Sequence, residues 1–161
     1  MKLRTFAMLV AGIALISLSA FATDVTANLS VSANVVNSCS VSAGSMDFGT
    51  YNPLSGSDLD QSGSFDVRCT NGGGASIKLD QGLNGTGTLA APVRRMASNG
   101  NYLTYQLYSD SNRQNAWEGA TGVSYTGTGS TQAQTVYGRI AASQNAVVGS
   151  FSDTVVITVT Y

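Results

Sequence analysis

The chain has 161 residues, only 11% of them charged, with 18 glycines, two cysteines and no histidine. Its formal net charge of −1 supplies no cationic excess to release counterions from a nucleic acid or to hold an anionic lipid surface. Without histidine, Ser-His-Asp and Cys-His catalysis and the commonest zinc ligand are excluded; a hydrolase would need paired carboxylates, and no distinctive pair is present.

Residues 1–22 set Lys2 and Arg4 ahead of an apolar run over 6–18 and end on Ala20-Phe21-Ala22. A basic start, a short apolar run and a small-x-small ending describe a secretory signal peptide. The run is shorter than the roughly 20 residues of a membrane span, and no second one follows, so export without membrane insertion of the mature form is expected. Cleavage would leave about 140 residues, the size of one domain, and would make the remainder more acidic. In an oxidising compartment Cys39 and Cys69 are expected to pair, with two buried free thiols as the alternative. Closing that loop contributes about 3 to 4 kcal/mol on a chain-entropy argument.

From Val25 the odd positions Val25, Ala27, Leu29, Val31, Ala33 and Val35 are apolar, and the even ones Thr26, Asn28, Ser30, Ser32 and Asn34 are polar. This strict period of two predicts a strand. Further strands are predicted over 39–41, 46–51, 63–69, 76–80, 102–109, 122–126, 134–140 and 153–161. Turn signals divide them: Asn52-Pro53, Asn71-Gly72-Gly73-Gly74, Asn84-Gly85 and Asn99-Gly100. Abundant Thr, Ser, Val and Tyr and a single glutamate leave almost no helix signal, so the chain reads as an all-β sandwich of about seven strands. The Gly/Thr/Ser-rich stretch 121–131 reads as a mobile hairpin.

The two ends carry the functional information. On the last strand Phe151, Val155, Ile157, Val159 and Tyr161 share one face, and Ser152, Thr154, Thr158 and Thr160 the other, with Val156 the apolar exception. The sequence closes on this strand, so pairing on one side only would leave a row of main-chain groups to be covered. The N-terminal alternating segment precedes the first cysteine and can be subtracted without losing any turn. One mechanism joins the two facts: Val25, Ala27, Leu29, Val31 and Ala33 of one molecule fill the missing strand position of the next. The alternative is an ordinary first strand that closes its own sandwich, giving a self-contained secreted binding module or coat protein.

Other residues have two readings. Arg94-Arg95 is either an anion or chaperone contact or a structural pair, one arginine on the surface and the other bracing a loop carboxylate such as Asp80 or Asp110. Trp117, with Tyr108 and Tyr125, either stacks on a carbohydrate or packs in the core. Asp47, Asp58, Asp60 and Asp66 invite a calcium site but lack the spacing of a calcium loop. Gly72-Gly73-Gly74 lacks the lysine and hydroxyl of a phosphate loop and reads as a turn. Asn28-Leu29-Ser30 and Asn84-Gly85-Thr86 fit glycosylation sequons. No cofactor or metal is expected.

The elements Ser38-Cys39-Ser40-Val41, Phe48-Gly49-Thr50-Tyr51, Val67-Arg68-Cys69, Arg94-Arg95-Met96, the run 103–108, Trp117, Tyr137-Gly138-Arg139-Ile140 and the run 149–155 resemble, in order, the spore coat protein U domain family. More narrowly they resemble the secreted pilin subunits of archaic chaperone–usher pili. The resemblance implies a non-catalytic subunit with an incomplete immunoglobulin-like sandwich, completed by an N-terminal donor strand. It also implies a periplasmic chaperone, an outer-membrane usher and neighbouring pilins as partners, a cell-surface or extracellular pilus, and adhesion or biofilm formation as the output. The expected layout is a signal peptide over 1–22, a donor segment over 23–36 and a pilin domain over 37–161. Phe151, Val155, Ile157, Val159 and Tyr161 would then form one wall of the acceptor groove, and Cys39 with Cys69 would lock its scaffold.

Overall fold

Short alternating segments separated by Gly- and Asn-rich turns fold into nine strands, and no helix occurs among the described residues, which are 21–161 of the computed structural model. The strands are β1 (Cys39–Ser45), β2 (Leu59–Cys69), β3 (Gly74–Leu79), β4 (Thr86–Gly87), β5 (Pro92–Ser98), β6 (Asn101–Tyr108), β7 (Val123–Thr126), β8 (Gln132–Ile140) and β9 (Ile157–Thr160). They form two antiparallel sheets, a six-stranded one in the order β1-β2-β8-β6-β5-β4 and a three-stranded one in the order β7-β3-β9. The period of two turns Phe65, Val67 and Cys69 of β2, Leu103, Tyr105 and Leu107 of β6, Val136 and Ile140 of β8, and Ile77 and Leu79 of β3 into the space between the sheets. Cys39 and Cys69 are direct register partners in β1 and β2, and their disulfide closes this pair.

The architecture is the all-β sandwich expected, with differences in detail. β5 is an additional strand beyond those expected, because Arg94 and Arg95 break its apolar pattern while Arg94 still points inward. Residues 46–51 form no strand. The stretch 121–131 is not a hairpin: β7 pairs with β3 and β8 with β2, so the link between them crosses from one sheet to the other. It is tied down on the way, since Gly127 N donates to Gly73 O at 2.8 Å and Gly129 N to Cys69 O at 3.0 Å.

The chain divides into two units, residues 1–34 and 35–161. Within the first, residues 21–34 form no strand, and Val25, Leu29 and Val31 are 94%, 87% and 84% exposed. The expected signal peptide lies, but for Phe21 and Ala22, outside the described residues. Among those residues no helix is long and apolar enough to cross a membrane.

Candidate functional site

Among the described residues β9 has β3 on one side and no strand on the other. Leu83 N donates to Thr154 O at 3.0 Å and Asp80 N to Val156 O at 3.1 Å, so the even-numbered residues of this segment turn their main chain toward β3 and its continuation. By alternation the N–H and C=O groups of Val155, Ile157 and Val159 point to the open edge. Their side chains meanwhile pack, partly buried, against the core.

Beside this edge the sandwich is unfilled. A groove of about 1170 Å³ runs between the segment 146–157 and the segment 44–54, with Phe65, Leu79, Leu103, Tyr105, Leu107, Val136 and Ile140 as its floor. It is mainly apolar at its base and is flanked by unpaired strand groups, which is what an added β-strand requires. Residues 151–157 would span about 23 Å if extended.

The first wall is held to the sheets at several points. Ser152 bridges to Ala97 of β5 in both directions, at 2.9 and 3.2 Å. Asp153 accepts from the Tyr105 hydroxyl at 2.7 Å and from the Asn84 amide side chain at 3.0 Å and main-chain N at 3.2 Å. Burial, reinforced by the Asp153 carboxylate, pushes the Tyr105 phenol well above its ordinary pKa, so it stays a donor. Asp80 Oδ1 accepts from Val156 N at 2.9 Å and from Gly82 N at 2.9 Å, fixing the entry to β9.

The second wall depends on two glycines. Gly63 of β2 lies under Ser45 and Met46, where a Cβ would meet the Ser45 carbonyl. Gly138 of β8 lies under Met46 and Phe48, where a Cβ would come within 2.5 Å of Met46 Sδ and 2.6 Å of Phe48 Cζ. The missing side chains let the chain leave β1 through a register shift between Ser42 and Ser45 and cross the floor. Tyr51 ends this crossing: its hydroxyl donates to Ala141 O and accepts from Gln144 N, both at 2.9 Å. The Gln144 side chain in turn pairs with both main-chain groups of Thr104, where β8 has already ended.

The sandwich has two distinct ends. Cys39, Cys69, the 70–73 turn and Thr160 gather at one, where β1 comes close to β9. Leu59, Ile140, Leu79 and Ile157 gather at the other, where the groove opens. Residues 36–38 are fixed at the disulfide end. Thr70 Oγ1 donates to Val36 O at 3.2 Å and accepts from Ser38 N at 3.1 Å, and Asn37 Nδ2 donates to Gly74 O at 2.9 Å.

The wall residues named from sequence divide along the same axis. Phe151, Val155 and Ile157 line the groove, Val159 packs against the core nearer the disulfide end, and Tyr161 is 61% exposed outside the lining. Met46, Phe48 and Tyr51, which form the opposite wall, were not legible as such, because their contacts depend on the distant Gly138.

The residues with two readings fall out as follows. Arg94 is fully buried and donates to the main-chain oxygens of Leu79, Asp80 and Trp117 at 2.9, 2.8 and 2.7 Å and to Gln106 Oε1 at 2.6 Å. It therefore braces carbonyls and not the carboxylates of Asp80 or Asp110. Burial pulls its pKa down, and Asp80 and Asp153 are among the groups that oppose this. Arg95 donates to Asn84 O and stacks over Tyr102 at 4.2 Å. The carbohydrate reading of Trp117 and Tyr125 is overturned, since both are core residues; Trp117 Nε1 donates to Ile77 O at 2.8 Å. Of the aspartates, Asp60 is gripped by Arg139 through two contacts of 2.7 and 2.8 Å and by Arg113 at 3.2 Å. Asp58 accepts from Ala142 N, and Asp47 from Gly49 N.

An all-β sandwich with one strand position empty defines a class of protein whose fold is completed by a strand from elsewhere. The family model of the Spore Coat Protein U domain matches residues 25–158, and the chain belongs to that family. It is 40% identical over 155 residues to Protein U of Myxococcus xanthus, with 87% of each chain covered. In fold it is similar, with a TM-score of 0.58 and 21% identity, to a chain in the crystal structure of the CsuC-CsuE chaperone-tip adhesion subunit pre-assembly complex from archaic chaperone-usher Csu pili of Acinetobacter baumannii. That match covers 79% of this chain and 40% of the solved one. These are families of structural subunits, not of enzymes.

Proposed function

We propose that the protein is a structural subunit of a chaperone–usher-type pilus that polymerises without covalent chemistry. Residues 23–36 of one copy form the donor segment, of which Val25, Ala27, Leu29, Val31 and Ala33 enter the groove of the next and face its floor. The observation that carries this reading is the pairing of an open β9 edge over an unfilled apolar groove with an exposed segment of matching alternation. The arm is rooted at the disulfide end and the groove opens at the other, so the association is head to tail and builds an open filament. The arm runs antiparallel to β9, because it enters from the Ile157 end with its root still outside. Each large apolar side chain buried contributes about 1.5 to 3 kcal/mol, and each main-chain hydrogen bond about 1 kcal/mol.

Before assembly a periplasmic chaperone occupies the groove, and an outer-membrane usher conducts the subunit to the surface, where the polymer supports adhesion or biofilm formation. Residues 1–22 direct export and are removed. The family's spore coat name supports a second reading, in which the same arm and groove build a coat layer. Both readings are tested by Leu29→Asp and Val31→Asp, which force a carboxylate into an apolar groove. Each variant is expected to fold and to bind chaperone but to form no fibres in negative-stain images; normal fibres from either would refute arm exchange.

A further inference from the structure

An apolar patch remains at the groove mouth, beyond the floor that Val25 to Ala33 would face. Leu54 and Val148 are fully exposed there and Val147 is half exposed, all three on the rim at the open end. At the other end of the domain Val35 and Val36 are 85% and 74% exposed, although the main chain of 36–38 is fixed to the body by Thr70 and Asn37. Two exposed apolar patches are costly unless covered.

We infer that Val35 and Val36 of one copy dock on Leu54, Val147 and Val148 of the next, forming a second subunit–subunit contact outside the groove. This rests on the arm-exchange reading. With Ala33 as the last residue facing the groove, Val36 lies within about 10 Å of the mouth, so the root of the arm reaches the rim. Because the Thr70 and Asn37 hydrogen bonds tie that root to the body, the contact fixes the orientation of one subunit on the next. The rim acts as a docking face for a second copy of this chain, separate from the groove that captures the strand.

The test uses full-length chain assembled into fibres, with Val148→p-benzoylphenylalanine as a photo-crosslinking probe and the same substitution at Val93, which lies on β5 away from the groove, as the control. Ultraviolet irradiation is expected to turn the heat-labile ladder of the Val148 fibres into a heat-stable one. Peptide mapping should place the links on residues 35–38 of the neighbour, with at least tenfold fewer links from position 93. Fibres that form normally but give no links to 35–38 would overturn the rim contact while leaving arm exchange intact. If the unsubstituted chain makes no heat-labile ladder, arm exchange fails and the rim contact fails with it.

Discussion

Removing the Arg94 guanidinium leaves three main-chain carbonyls and the Gln106 amide oxygen without a shared donor inside the sandwich. Arg94→Met should therefore cost about 3 kcal/mol or more, read as a lower urea midpoint with unchanged slope. Arg94→Lys should recover little, because an ammonium cannot serve four acceptors spread around a planar fork. Asp60 gives the pH dependence. Its carboxyl is held below the usual range by the hydrogen bond from Arg139 and the charge of Arg113, which outweigh burial. Folding thus favours the ionised form: the contribution is complete above the unfolded value of about 4 and fades as pH falls through the lower folded value. Urea midpoints of wild type and Asp60→Asn should differ at pH 6 and converge below about pH 4. Neither role was legible in sequence. A pair of adjacent arginines gives no sign of which one is buried, and the acceptors of Arg94, the main-chain oxygens of Leu79, Asp80 and Trp117 and the Gln106 side chain, are brought together only by folding.

At the scale of elements, the groove is built by what strands lack. β8 reads as a plain strand, yet Gly138 within it decides whether Met46 and Phe48 can lie across the floor. Gly138→Val should cost about 1 to 3 kcal/mol through overpacking, keep the β-sheet circular dichroism signal and cut fibre yield at least tenfold. Fibres at wild-type yield would show that the second wall is not needed to hold the arm. The C-terminal alternation identified from sequence corresponds to β9 and its approach, with the even-numbered residues outward and the odd-numbered ones inward. The strand expected over 46–51 is instead an irregular wall. Its apolar residues serve the groove without a neighbouring strand to pair with, and periodicity cannot distinguish the two. β5 escaped notice for the converse reason: its pairing with β6 is regular, but its inward positions carry Arg94 and Met96 where a sandwich usually has Val or Ile.

For the whole molecule, the division of labour follows from the ends of the chain. On the proposed arm exchange, the apolar groove left open at the end away from the disulfide would be filled by an inserted strand, which would couple folding to assembly. Strict alternation predicts a strand over 25–35, whereas residues 21–34 form none; alternation specifies a face to be buried but not the chain that buries it, so the neighbouring copy is expected from the C-terminal edge and the family resemblance and not from the alternation itself. The groove and the clamp at Thr70 and Asn37, which on the proposed arm exchange would give association its direction, arise from tertiary packing alone. The most direct measurement is non-reducing SDS gel electrophoresis of the purified full-length mature chain, with and without boiling. Arm exchange predicts a ladder of SDS-resistant oligomers that collapses to monomer on heating, and a single monomer band in both lanes would contradict it.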